Sequence, residues 1–268
     1  MLFNTVDFIV FFAFIISMIV IIRNRNFHYI FIIAGSYFFF YFSNNFLITL
    51  LVFSTILDFY IAKQIWKTDN RTKKKKLLIL SLVGNLGLLG FFKYTDFAIL
   101  QFNEIFGLIG INQIPLLEIV LPVGISFYTF QTLSYTIDVY RGTLTPSKSI
   151  KEFAFFVSFF PQLVAGPILR ASNFLPQVRE KFVELKNQNL KQAIIQNSNL
   201  KFGLTLMSFG FFKKMFFADN IAPFVDEIFL NPIGLDSFAI VLGTIAFGIQ
   251  LYCDFSGYTD IAIGAAFI

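Results

Sequence analysis

What most constrains this chain is a succession of apolar runs long enough to cross a bilayer, joined by short basic links. Val6 to Ile22 is an apolar run of 17 residues with Asp7 near its start, and Arg23 and Arg25 follow at once. Phe27 to Phe42 and Phe46 to Ile65 form the next two runs around the polar turn Ser43-Asn44-Asn45. A helix crossing a membrane needs about 20 predominantly apolar residues. The pattern persists to the last residue: 56% of the chain is hydrophobic and 14% is charged, against roughly 25% charged in a soluble domain. A soluble enzyme, a disordered tail and a secreted disulfide scaffold are excluded. The predicted fold class is all-α: a polytopic transmembrane helical bundle with short re-entrant and interfacial helices, forming one membrane domain over residues 1–268. The length leaves room for about seven to nine crossings.

Charge placement orients these runs. Lys63, Lys67, Arg71, Lys73, Lys74, Lys75 and Lys76 face a single acid, Asp69. Basic clusters mark cytoplasmic links, and two crossings separate this one from Arg23 and Arg25, so the N-terminus is predicted outside. The lysine run reads either as a plain cytoplasmic link or as a surface for anionic lipid. The net charge of +5 does not point to nucleic acid, because the basic residues lie between apolar runs. No basic region precedes the first run and no small-residue cleavage site follows it, so it is not predicted to be a signal peptide. A single cysteine, Cys253, excludes an internal disulfide and a cysteine zinc site, and a single histidine, His28, excludes a histidine-rich metal site. His28 opens the second run and reads as a cap or headgroup contact. The 40 phenylalanines need no dedicated aromatic site, since lipid-facing positions ask only for apolarity.

Polar residues within the runs carry more information. Asp58 lies inside the third run, where an ionisable group costs about 2.5 to 3.5 kcal/mol and must face protein or water. Leu77 to Phe92 goes out again. Tyr94 to Ile111, broken by Asp96, Asn103 and Glu104, is predicted as a surface helix. Leu116 to Asp138 returns to the cytoplasm. Phe153 to Ile168 holds Pro161 and Pro167 and is predicted as a re-entrant or half-buried element. Arg170 to Lys201 is predicted to hold an interfacial helix. Phe202 to Ala218 resumes the membrane but carries Lys213 and Lys214. Ser237 to Cys253 is a cleaner span, and Gly257 to Ile268 starts another that 12 residues cannot complete. The chain is therefore expected to end inside an element.

Three constellations could carry chemistry. On a helix, Gly124, Tyr128, Gln131, Tyr135 and Asp138 fall within about 80° of one another. This stripe is either the wall of a polar tunnel or interhelical hydrogen-bonding glue. In Phe160-Pro161-Gln162-Leu163-Val164-Ala165-Gly166-Pro167-Ile168-Leu169-Arg170, prolines and a glycine free backbone groups beside a permanent cation. Such a segment either holds an anionic or carbonyl-bearing ligand or is a re-entrant turn with a snorkelling arginine. In Asp254-Phe255-Ser256-Gly257-Tyr258-Thr259-Asp260, the two acids point about 120° apart on the helical wheel, so they are not a shared-proton dyad. They require buried partners, for which Lys213 or Lys214 is a candidate; a purely structural network is the alternative. Metal-ligand spacing, a phosphate loop and a Ser-His-Asp set are absent from the sequence.

The segments LPVGISFYTFQTLSYTIDVYRG (121–142), FFPQLVAGPILRASNFLPQ (159–177) and QLYCDFSGYTDIAIG (250–264) together closely resemble the alginate O-acetylation branch of the membrane-bound O-acyltransferase family. The opening MLFNTVDFIVFF and FGFFKKMFFADNIAPFVD (209–226) look similar too, so the resemblance runs through essentially the whole chain. It implies a multi-pass enzyme of the bacterial inner membrane with a bowl-like helical bundle. It implies no bound cofactor, with acetyl-CoA or another cytoplasmic acyl donor as co-substrate. The acceptor it implies is a hydroxyl on an extracytoplasmic polysaccharide, and an extracytoplasmic transferase is an implied partner. In that family the catalytic residue is a tunnel histidine in a His-Gly-x-x-Trp context, downstream of the DFSGYTD segment. His28 does not match it, so no catalytic residue is assigned and the histidine is expected beyond Ile268. The chain is expected to be an N-terminal portion, inactive alone. The motif positions expected near the tunnel are Tyr128, Gln131, Asp138, Arg170, Asp254, Tyr258 and Asp260. The alternatives are a non-catalytic membrane scaffold that docks a partner and, less favoured, a transporter, which would show an inverted repeat.

Overall fold

A computed structural model describes residues 3–22, 25–108, 110, 112–163, 166, 169–187 and 197–268. Among them the only regular elements are helices, so the chain is all-α as expected. In chain order they are α1 (Val6–Ile21), α2 (Arg25–Asn44), α3 (Ile48–Lys67), α4 (Arg71–Leu108), α5 (Ile125–Arg141), α6 (Ile150–Ser158), α7 (Phe160–Leu163) and α8 (Ala171–Asn187), followed by α9 (Asn197–Phe211), α10 (Asp219–Leu230) and α11 (Ser237–Phe267). A 3-10 turn, Asn45–Leu47, joins α2 to α3, and a π-helical turn, Phe212–Ala218, joins α9 to α10.

The segments Phe27–Lys67, Arg71–Leu108 and Ser237–Phe267 are long and apolar enough to cross a membrane, and Val6–Ile21 is a shorter apolar helix. The chain is a multi-pass membrane protein. Two of the helices are longer than a crossing needs: α4 has 38 residues and α11 has 31. The separate surface helix expected at Tyr94–Ile111 is instead the continuation of α4, which runs unbroken for 38 residues. The polar residues that suggested a break have other work. Asp96 accepts the N–H groups of Leu117 and Ile119 at 2.9 Å each, and the Asn103 amide both donates to and accepts from Ile114. They pin an irregular segment, residues 112–122, along the far end of α4. The span expected at Leu116–Asp138 is thereby shortened to α5, 17 residues long. Gly124, at φ +80°, stops the irregular segment and starts the helix. The run Phe202–Ala218 is helical throughout, α9 passing directly into the π-turn at Phe212. In place of two runs parted at Cys253–Gly257, α11 is one helix of 31 residues, about 46 Å long.

The chain forms two compact units. In the one built from residues 33–159 and 168–179, α3 packs against α4, α5 and α6. Leu51, Thr55, Asp58, Phe59, Ala62 and Ile65 are buried along it, the three-and-four spacing of one helix face. The Phe153 ring of α6 meets that of Tyr135 in a tilted contact with centroids 4.4 Å apart and stacks on Phe59 at 6.2 Å. In the same unit α8 is tied to α6 by the Arg179–Glu152 ion pair, so the helix expected in the polar stretch after Arg170 exists at Ala171–Asn187.

The other unit contains residues 1–32, 160–167 and 180–268. Thr5 caps α1 by accepting the Phe8 N–H at 3.3 Å, and Asp7 sits in the first turn, where a carboxylate favours the positive end of the helix dipole. That accounts for an acid at the start of an apolar run. Its core is the crossing of α9 and α11. A methyl on Gly210 would meet Gly257 O at 2.6 Å, and one on Gly257 would meet Gly210 O at 2.8 Å. Gly203 and Gly264 repeat this contact seven residues along each helix. Small residues let two backbones approach where lipid supplies no hydrophobic drive between helices.

Candidate functional site

The expected site residues divide between the two units. Tyr128, Gln131, Asp138 and Arg170 belong to one, and Asp254, Tyr258 and Asp260 to the other.

In the first group the polar stripe of α5 resolves unevenly. Gln131 is buried and its side-chain amide donates to Phe156 O at 2.7 Å. The Tyr135 hydroxyl is buried and accepts the Ser147 N–H at 2.9 Å. The first contact joins α5 to α6, and the second ties α5 to the loop that leads into α6. Tyr128 differs: its residue is 1% exposed, its ring packs edge-on against Phe40 at 6.0 Å, and its hydroxyl has no hydrogen-bond partner among the described residues. A buried hydroxyl left unpaired costs about 1 to 3 kcal/mol, so this oxygen is available to a ligand at little further cost. Asp138 sits at the end of α5, where its backbone carbonyl accepts the N–H and hydroxyl of Thr143, both at 3.0 Å. Arg170 is exposed, and its backbone carbonyl accepts the Asn173 and Phe174 N–H groups as α8 begins. In the proline-flanked segment before it, Val164, Ala165, Pro167 and Ile168 lie outside the described residues, as do Arg23 and Lys191.

One neighbouring feature was anticipated in need but not in detail. Asp58, fully buried, accepts hydrogen bonds from the Ser81 hydroxyl, from Asn85 Nδ2 at 2.8 Å and from the Thr136 hydroxyl at 3.1 Å. Neutral donors from α4 and α5 thus replace water around an acid on α3.

The second group forms a charged cluster at the π-turn. Lys213 Nζ donates to Asp260 Oδ2 at 2.6 Å and to the Ser256 hydroxyl at 2.9 Å. Lys214 Nζ donates to Asp219 Oδ1 at 2.6 Å and stands 2.7 Å from Asp254 Oδ1, a charge contact without hydrogen-bond alignment. It also lies 5.5 Å from the centre of the Tyr258 ring, while the Tyr258 hydroxyl donates to Asn4 at 3.3 Å. The expectation that Lys213 or Lys214 partners the acids holds for both. Asp219 was not anticipated; its position five residues after Lys214 is the signal, because a π-turn brings i and i+5 together. Adjacent lysines on an α-helix diverge by about 100°, yet both reach α11. The widened turn and the Gly210–Gly257 contact together allow this.

Residues 147–268 match the model of the membrane-bound O-acyltransferase family. The chain is 36% identical over 239 residues to the peptidoglycan O-acetyltransferase of Helicobacter pylori, covering 80% of this chain and 43% of that protein. It is 39% identical over 226 residues to the probable alginate O-acetylase AlgI of Pseudomonas aeruginosa, covering 80% of this chain and 39% of that protein. With the probable AlgI of Azotobacter vinelandii it shares 37% identity over 219 residues, covering 78% and 40%. This chain belongs to the membrane-bound O-acyltransferase family. It spans about two-fifths of the length of these curated relatives. The family match takes in α6, α8, the π-turn and the charged cluster on α11. The stripe on α5 precedes it. Among the described residues no group of acids, histidines and cysteines could hold a metal ion. His28 is buried, and its Nε2 contacts Ile22 O, beside the turn between α1 and α2.

Proposed function

We propose that the chain serves a membrane-bound O-acyltransferase that moves an acyl group, typically acetyl, from a cytoplasmic donor such as acetyl-CoA to a hydroxyl of an extracytoplasmic polysaccharide. The observation that carries this reading is the identity of 36 to 39% over 80% of the chain with proteins named as O-acetylating enzymes. The chain acts as one membrane domain in the bacterial inner membrane, with its N-terminus outside and an extracytoplasmic transferase as partner.

Acyl transfer needs an acceptor proton removed and a developing oxyanion stabilised. Tyr128 supplies a buried hydroxyl that no described residue uses, suited to hydrogen-bond a carbonyl or hydroxyl oxygen. Asp138 shares its helix face and lines the acyl path with it, while Gln131, bonded to Phe156 O, holds that face against α6. Arg170 offers an exposed cation to the phosphates of the donor. Asp254, Tyr258 and Asp260 are held by Lys213, Lys214 and Asn4 in the other unit, and they serve as tunnel-lining candidates there by the family resemblance. The test is deletion of the encoding gene and measurement of ester-linked acetyl on the cell-surface polysaccharides by alkaline release. Acetyl content falls and returns with the wild-type gene, but returns poorly with Y128F. An unchanged acetyl content in the deletion strain defeats the proposal.

A further inference from the structure

The turn between α3 and α4 gathers Lys63, Lys67, Arg71 and Lys73 to Lys76 at one end of two packed helices that are apolar enough to cross a membrane. Lys63 lies over the Phe59 ring at 4.4 Å. The rest, except the half-buried Lys74, are exposed, and none of the seven makes an ion pair among the described residues. The turn itself is ordered: Asn70 Oδ1 accepts the Lys73 N–H at 3.1 Å, and Asn70 O accepts that of Lys74 at 3.0 Å. Five of the charges occupy residues 71–76 and therefore point to every side of the first turns of α4. Such crowding is self-repelling unless anions surround it. Trp66, 48% exposed, stands beside Lys67 at the end of α3, the position of an interfacial anchor.

We propose that this turn is a docking surface for anionic lipid headgroups of the leaflet it meets, enriching them around the α3–α4 end. The placement favours lipid over a soluble anion. The charges emerge where the apolar helices stop, at headgroup height, and an aromatic side chain reaches the same level. The inference does not depend on acyl transfer.

The chain contains one tryptophan, so its indole fluorescence reports from the patch alone. The chain is placed in phosphatidylcholine nanodiscs, and brominated phosphatidylglycerol or brominated phosphatidylcholine is titrated in. Half-quenching is expected at a mole fraction of the anionic lipid lower by about fivefold or more, the worth of one basic side chain near an anionic surface. The preference disappears in the variant K73Q/K74Q/K75Q/K76Q and at high salt, and survives in K73R/K74R/K75R/K76R. Equal quenching by the two lipids in the wild-type chain overturns the proposal and leaves the lysines as a topology signal. Loss of the preference on adding pyrophosphate at constant ionic strength overturns it in favour of a soluble polyanion.

Discussion

Replacing Asp58 by alanine would leave the Ser81, Asn85 and Thr136 donors facing an apolar gap in a buried setting. A loss of about 2 to 3 kcal/mol is expected, read as a lower midpoint of thermal unfolding in detergent, with D58N milder because it keeps the shape and an acceptor. An unchanged midpoint in D58A would show that the acid binds nothing of consequence. Tyr128 predicts the opposite pattern. Y128F removes a hydroxyl that no described residue satisfies, so stability is unchanged or slightly raised while acetyl transfer falls. A large drop in midpoint would mean that the hydroxyl is a structural group. The need of Asp58 for partners was legible from its place in an apolar run. The partners were not, because Ser81 and Asn85 lie on the next helix and no periodicity links them to residue 58. In the α5 stripe, spacing placed Tyr128, Gln131 and Tyr135 on one face. Only contacts with Phe156 and Ser147 separate glue from the unspent hydroxyl.

Among the elements, the close crossing of α9 and α11 is the most exacting. G210A pushes a methyl against Gly257 O at 2.6 Å and the Ile261 N at 2.8 Å, backbone atoms that cannot swing aside. A destabilisation of about 1 to 3 kcal/mol follows from such overpacking. G248A, on the same α11 but with nothing within 4 Å of the added carbon, should be neutral. Thermal unfolding of both variants in one detergent checks the pair; equal midpoints would dismiss the crossing as a constraint. Helix existence was readable from the apolar runs, but helix ends were not. Asp96 and Asn103 look like breaks in α4 because their partners, Ile114, Leu117 and Ile119, sit on an irregular segment with no pattern of its own. The π-turn had no sequence signature beyond two lysines and an aspartate five residues on.

At the scale of the whole molecule, the class was legible first, because no soluble core uses so many apolar residues. The basic clusters predict the topology. A phosphatase reporter fused ahead of residue 1 should be active and one fused within 68–70 inactive; the reverse result would invert the whole assignment. Such a reporter also bears on the irregular segment held along α4. Side chains of α4 take three of its N–H groups, those of Ile114, Leu117 and Ile119, and irregular backbone exposed to lipid does not occur in hydrocarbon. A bilayer edge on α4 near Asp96 is the expected consequence. From Arg71 to Asp96 the helix rises about 38 Å, close to the thickness of a membrane with its headgroups. One aspartate that first looked like a flaw in a span thus predicts where the span meets water.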